Sequence, residues 1–398
     1  MIDLRPIRAF LEPRHEALAA SASDFASRRL APLPEPEGDA AGRARAREVV
    51  GEIGEAGLYA PIEERDLRGA CLVREALAGA SPLADAVWAL QALGTTPLLL
   101  SGSEEQRSRW VPDALAGRAM AAFAMTEAGA GSDVGAMETR AVRGEDGYVL
   151  NGEKTFISNA GIADFYTVFA STDPSSGSRG ISCFLVPADA SGLEFTGAQV
   201  MAAPHPLGSI AFRDCRVPPS ALVGEEGRGF ALGMATLDRL RPTVGAAACG
   251  MAGRALEEAI AHATSRHQFG RPLSDFQLVK EKLGRMATDL TAARLLVYRA
   301  AWEGDRGAGR ITTEAAMAKA FATEAAQRIV DEAVQVLGGR GVLASHPVDR
   351  LYRSVRALRI YEGTTEIQRL IVADRLVEER EDSGGRAPED GPEGEGGR

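Results

Sequence analysis

The strongest constraint on this chain is a change of texture in its middle. From about residue 121 to residue 223, short β-rich runs at 148–150, 155–157, 165–170, 181–186 and 210–212 are punctuated by Gly, Ser, Thr and Asp. Pro187, Gly192 and Pro218-Pro219 close several of them. This spacing suits a compact antiparallel barrel or sandwich rather than alternating β–α units. Helical patterns lie on both sides. Residues 10–30, 45–58 and 72–93 read as amphipathic helices, with Ala31-Pro32-Leu33-Pro34-Glu35-Pro36 as a terminator. Residues 244–264 and 278–302 read as two long helices. Met317, Phe321, Ala325, Ile329, Ala333 and Leu337 set one apolar stripe on another, which Gly338-Gly339 ends as αL caps. The expected fold is therefore α+β and multidomain. It has an N-terminal helical domain (1–120), a central antiparallel β-barrel or sandwich domain (121–223) and a C-terminal four-helix-bundle-like domain (224–380). Residues 381–398 carry six acidic residues, two arginines and almost nothing apolar, and are expected as a disordered acidic tail.

Composition narrows the setting. A chain of 398 residues with 45% hydrophobic and 25% charged residues is an ordinary globular protein of two or three domains. Its net charge of -10 offers no broad positive field, which excludes a general nucleic-acid binder. No apolar run long enough for a membrane span is apparent, and the charged N-terminus does not read as a signal peptide. Cys71, Cys183, Cys215 and Cys249 form no Cys-x-x-Cys pair, so four reduced thiols in a cytoplasmic protein and no metal site are expected. Only Lys154, Lys280, Lys282 and Lys319 are lysines.

Three segments carry candidate chemistry. Phe123-Ala124-Met125-Thr126-Glu127-Ala128-Gly129-Ala130-Gly131-Ser132 combines flexible glycines with hydroxyls and lacks the strand–turn–helix setting of a dinucleotide fingerprint. It reads either as a ligand-approaching loop or as a plain structural one. In Asn151-Gly152-Glu153-Lys154-Thr155-Phe156-Ile157-Ser158, Asn-Gly is a hairpin-turn signal. Phe156 and Ser158 would then share a strand face, as a platform for a planar ring or as ordinary core. In Ile360-Tyr361-Glu362-Gly363-Thr364-Thr365-Glu366, Glu362 is a candidate base or a solvated surface carboxylate.

In this order, and together with Arg266-His267-Gln268-Phe269-Gly270-Arg271-Pro272 and Gln335-Val336-Leu337-Gly338-Gly339-Arg340-Gly341, these segments resemble the acyl-CoA dehydrogenase family over residues 8–377. The resemblance implies FAD as cofactor. Phe123, Met125, Thr126, Ser132, Phe156 and Ser158 match positions near its ring. Arg266, Gln268, Phe269, Gln335, Gly338 and Gly339 match positions reaching the ADP half in a neighbouring subunit, and Gln277 matches a further cofactor-binding position. Thr364 and Glu366 match further FAD contacts. A shared cofactor implies a homo-oligomer, a dimer or tetramer.

Glu362 matches the base that removes the α-proton of an acyl-CoA thioester while a hydride leaves the β-carbon for flavin N5. Some members carry the base on a helix instead. Here Leu240 stands at that position and cannot take a proton. Ser132, Asp238, Arg241, Tyr361 and Gly363 match substrate-side positions, although Asp238 and Arg241 also suit a local i, i+3 ion pair. An electron-transfer flavoprotein is the implied electron acceptor.

Two segments depart from the family pattern. Met201-Ala202-Ala203-Pro204-His205-Pro206-Leu207-Gly208-Ser209 lacks the usual Met-Gly-x-Arg and Ser-x-Thr, leaving His205 as a replacement polar contact or part of a rigid turn. Residues 62–69, which with 93–97 would border the acyl tail, are short, charged and without Gly-Gly. An oxygen-using acyl-CoA oxidase and a dehydrogenase of carrier-protein thioesters are alternatives on the same fold. A non-catalytic FAD-binding relative would not need Glu362.

Overall fold

The computed structural model describes residues 2–307 and 310–384. The N-terminal helices are α1 (Pro13–Phe25), α2 (Gly38–Glu55), α3 (Ala60–Glu63), α4 (Leu67–Ala80), α5 (Pro82–Ser101) and α6 (Glu104–Leu115). Local chemistry sets their starts. The Asp66 carboxylate accepts from Gly69 N–H at α4, and the Ser103 hydroxyl accepts from Gln106 N–H in a capping box at α6. Residues 72–93, expected as one helix, belong to two. Ser81 is extended (φ -149, ψ 106), because Pro82 disfavours a helical predecessor, and its hydroxyl caps α5. α5 also corrects the reading that no run could span a membrane. It is long and apolar enough by length and composition, yet it is a mostly buried core helix here.

The middle of the chain forms a seven-stranded sheet: β1 (Ala121–Ala124), β2 (Arg140–Gly144), β3 (Gly147–Ser158), β4 (Phe165–Ser171), β5 (Ile181–Pro187), β6 (Leu193–Ala198) and β7 (Leu207–Val217). β5 pairs one edge of β4, and β1 and the end of β2 share its other edge. β2, β3, β7 and β6 follow in antiparallel order, whereas β1 runs parallel to β4. The expected Asn151-Gly152 hairpin turn does not form. Glu145 and Asp146 make the turn between paired Gly144 and Gly147, and Asn151-Gly152 sits inside β3 at a bulge. Gly152 (φ +144) is needed there, since a Cβ would come within 2.6 Å of Thr139.

The C-terminal helices are α7 (Gly229–Ser265), α8 (Gln277–Asp305), α9 (Thr312–Leu337), α10 (Pro347–Val355) and α11 (Thr365–Gly384), with a small hairpin of β8 (His267–Gln268) and β9 (Arg271–Pro272) after α7. α7 continues through Pro242, so it starts well before residue 244. On α9, Ala325, Ile329, Ala333 and Leu337 are buried, while Met317 and Phe321 are half-buried. Gly338 ends the helix at φ 59, ψ -137, outside the αL region expected for it, and Gly339 is not at positive φ. α11 extends through Gly384, so residues 381–384 are helical rather than tail; the rest of the expected tail lies outside the described residues.

One core joins the two helical regions. Leu67, Cys71, Leu72 and Ala78 of α4 pack with α7, α8 and α9. At the α4–α7 crossing, a Cβ on Gly250 would meet the Glu75 carbonyl oxygen at 2.1 Å, so only glycine permits this approach. Glu75 in turn accepts from Arg294 Nε (2.7 Å) and the Tyr298 hydroxyl (2.8 Å) of α8. The four cysteines are free and buried.

Candidate active site

Glu362 lies in the short turn between the 3-10 segment Arg356–Arg359 and α11. Its φ is +54 and that of Gly363 is +91, so two successive residues take left-handed backbone. The residue is half-buried overall, but its Oε2 is shut off from solvent and has no hydrogen-bond partner. Four helices each bring one charge near it: Arg74 from α4, Asp85 from α5, Arg241 from α7 and Lys319 from α9. Burial pushes the Glu362 carboxyl above its ordinary range, against the pull of the three cations and with a contribution from Asp85.

Most of that positive charge is already engaged. Arg74 donates to both Asp85 oxygens at 2.8 and 2.9 Å and to Thr243 Oγ1 at 2.9 Å. Arg241 donates to Asp238, whose other oxygen accepts from Thr312 Oγ1 at 2.8 Å. The helix-face ion pair between Asp238 and Arg241 thus forms, while Arg241 Nε is buried and unpartnered. Lys319 Nζ donates to the carbonyls of Tyr361 (2.9 Å) and Gly363 (2.5 Å) rather than to Glu362. Tyr361 is half-buried against the helical core, and burial pushes its phenol up. A desolvated carboxylate with raised proton affinity and a free oxygen has the chemistry of a proton acceptor.

A second cluster lies in the sheet domain. At the end of β1, Met125 is buried, and Phe123 is half-buried against Phe169 at 4.8 Å. The Thr126 carbonyl accepts from Thr155 N–H at 3.0 Å, which brings Thr126 beside Phe156. Phe156 departs from regular strand alternation: its φ is +55 and it is 61% exposed. Half-buried Ser158 remains on the side opposite buried Ile157. Ser158 Oγ lies 2.7 Å from His205 Nε2, while the His205 carbonyl accepts from Leu207 N–H at 2.8 Å within the turn. Burial and nearby Arg43 push His205 down to about 4, which leaves it neutral at pH 7. Exposed Ser132 ends the loop that follows β1. Fully buried Lys154 pins that loop, donating to Glu127 Oε1 (2.7 Å) and the Met125 carbonyl (3.0 Å), while Glu127 also accepts from the N–H groups of Glu138 and Thr139.

The remaining candidates lie apart from both clusters or at their edge. Arg266, Gln268, Phe269 and Gln277 are exposed on or beside the β8–β9 hairpin, with Phe269 92% exposed at φ +52. Gln335, Gly338 and Gly339 are exposed at the end of α9. Burial holds the His262 imidazole below its ordinary value, and the charges of Arg340 and Arg266 push the same way, so both the turn after α9 and the base of the hairpin bring a cation near it. Thr364 Oγ1 accepts from Ile367 N–H at 3.3 Å at the start of α11, beside exposed Glu366.

The donor set fits a flavin dinucleotide. The exposed ring of Phe156 beside the hydroxyls of Thr126 and Ser158 suits a planar polar ring, and the Arg266–Arg340 face suits a diphosphate. Sequence reasoning missed Lys154, Glu127, Lys319, Arg74 and Asp85. The one available signal was the scarcity of lysine, since Lys154 and Lys319 are both fully buried and lysine seldom is.

Comparison with known proteins covers almost the whole chain. Family models match residues 12–118 (acyl-CoA dehydrogenase, N-terminal domain), 122–215 (middle domain) and 227–377 (C-terminal domain). The chain is 40% identical over 309 residues to a probable acyl-CoA dehydrogenase, FadE25, of Mycobacterium tuberculosis, covering 77% of this chain and 79% of that one. It is 37% identical over 378 residues to a 3-(aryl)acrylate reductase of Clostridium sporogenes, covering 92% and 100%. Its fold is similar to that of butyryl-CoA dehydrogenase from Megasphaera elsdenii, with a TM-score of 0.86 at 33% identity, covering 92% and 99%.

Proposed function

This chain belongs to the acyl-CoA dehydrogenase family, whose members are oxidoreductases acting on CH–CH groups, and from that premise we propose that Glu362 is the base that takes the α-proton of an acyl-CoA thioester. A thioester α-proton is a weak acid, so the site must raise the proton affinity of the base and stabilise the developing enolate. The observation that carries the reading is the Glu362 carboxylate itself, whose buried Oε2 has no partner and whose proton affinity is raised by burial. Leu240, buried on α7, offers no competing acceptor.

FAD, when bound, supplies the acceptor for the β-hydride. Thr126, Phe156 and Ser158 would hold its ring, with Phe123, Met125 and Ser132 around them. The cationic face near Arg266 would meet its diphosphate, with Gln268, Phe269, Gln277, Gln335, Gly338 and Gly339 supplying further contacts across a subunit boundary. Thr364 and Glu366 complete the set. Tyr361 and Gly363 flank the thioester, and Asp238, Arg241 and Ser132 lie toward the CoA side. The functional unit is a homo-oligomer of the cytoplasm that passes electrons to an electron-transfer flavoprotein, and its domains divide near residues 120 and 223.

The test is anaerobic bleaching of the flavin by a panel of straight, branched, aromatic and cyclic acyl-CoAs. Wild type should bleach with at least one of them, and Glu362→Gln should retain FAD while losing bleaching. A colourless protein that cannot be reconstituted with FAD overturns the flavoenzyme reading. Near-normal bleaching in Glu362→Gln overturns the base.

A further inference from the structure

The turn that presents Glu362 is held through its carbonyls. Lys319 Nζ donates to the carbonyls of Tyr361 and Gly363 at 2.9 and 2.5 Å. Gln368 Nε2 donates to the carbonyls of Glu362 and Gly363 at 3.3 and 3.2 Å. Three consecutive carbonyls are thereby occupied by two side chains that are themselves 0% exposed. No hydrogen bond uses the N–H of Glu362 or of Gly363 among the described residues.

Peptide geometry links these facts. In a trans peptide the C=O of Tyr361 and the N–H of Glu362 lie in one plane and point in opposite directions. A donor fixed on the Tyr361 carbonyl therefore aims the Glu362 N–H away from Lys319. The left-handed φ at Glu362 is uncommon for a residue with a side chain, so the surrounding structure must enforce it. Lys319 sits on the long helix α9, which gives the clamp a rigid base. A lysine spent on backbone carbonyls also lends its charge to Glu362 without occupying the carboxylate.

We propose that Lys319 and Gln368 form a carbonyl clamp that positions both the Glu362 carboxylate and the Glu362 N–H toward the substrate, the N–H serving the thioester oxygen while the carboxylate takes the proton. This rests on the reading of Glu362 as the base and assigns Lys319 and Gln368 as positioning residues.

The experiment uses FAD-loaded wild type, Lys319→Met, Gln368→Met and Glu362→Gln. The probe is the 3-thia analogue of the acyl-CoA that bleaches wild type fastest. Its α-proton can leave, but sulfur at the β-position has no hydride to give. The ionised analogue against oxidised flavin is read by long-wavelength absorption at pH 7.5, with FAD content and cooperative unfolding measured alongside. Misplacing catalytic groups by about 1 Å costs about 10²-fold, so bleaching by the true substrate should slow by that order in Lys319→Met. The ionised fraction of the analogue should fall at least tenfold while FAD stays bound. Gln368→Met, with longer bonds, should show a smaller drop of the same kind and carries the test if Lys319→Met does not fold. Wild-type ionisation in both variants overturns the clamp. Loss of FAD and of cooperative unfolding in both also overturns it, because the two side chains would then serve the fold. Ionisation persisting in Glu362→Gln overturns the base reading instead.

Discussion

Lys154 and Lys319 are both fully buried, and burial pushes both down to about 8, yet they are partnered differently. Lys154 meets a carboxylate, Glu127, at 2.7 Å, and the pair closes the loop after β1. Lys319 meets carbonyls, and the carboxylate whose charge it feels, Glu362, is left without a bond to it. A buried cation paired to an anion is a fastener. A buried cation bound only to dipoles leaves a nearby anion available for chemistry. The contrast predicts that disturbing the first region costs stability and that disturbing the second costs rate.

The largest expected effect tests the reactive side. Glu362→Gln should lower turnover by more than the roughly 10²–10⁴-fold of ordinary acid–base help, measured by stopped-flow bleaching of FAD-loaded protein. Comparable activity would erase the distinction between the two lysines. On the fastening side, Lys154→Met leaves Glu127 buried without its cation and should cost about 3–5 kcal/mol, read from denaturant unfolding. A loss below 1 kcal/mol would place the two lysines in one class.

The pH profile sharpens the contrast. Glu362 must be ionised to act, and burial raises its proton affinity, so rate should rise with pH through that elevated value. Lys319 faces Glu362, Arg241, Glu366 and Glu324 and loses its proton as pH rises through about 8. Rate should therefore fall on the alkaline side in wild type, and this limb should be absent in Lys319→Met. For Lys154 the sign is different. Its folded-state value lies below the ordinary lysine value of 10.5, so the unfolded chain binds more protons between about 8 and 10.5, and the lysine's contribution to stability rises with pH across that window. The smallest effect belongs to His205→Ala, which removes the partner of Ser158 and should weaken FAD retention by about 1 kcal/mol, checked by flavin titration of apoprotein.

The division into helices, sheet and helices was legible because hydrophobic period and turn residues change together near residues 121 and 223. Glu362 stood out only through the family resemblance of its segment, since its local setting alone suits a solvated surface carboxylate equally well. The supports of the site were not legible. Arg74 and Thr243 are 169 positions apart, and Lys319 and Tyr361 are 42 apart, so no local pattern could join them. Phe156 escaped strand alternation through a positive φ that an aromatic residue does not advertise. Asn151-Gly152 was a turn signal overruled by its neighbours, since Glu145-Asp146 closed the hairpin first and left the glycine to relieve crowding at Thr139.

The four charges around Glu362 come from α4 and α5 on one side of the sequence and from α7 and α9 on the other. A chain that has folded only its first or only its last third would carry an ordinary carboxylate in wet surroundings. Its proton affinity would rise only when the two ends of the polypeptide close on each other. The desolvation of this carboxylate is thus tied to tertiary closure, because it needs both ends of the polypeptide in place.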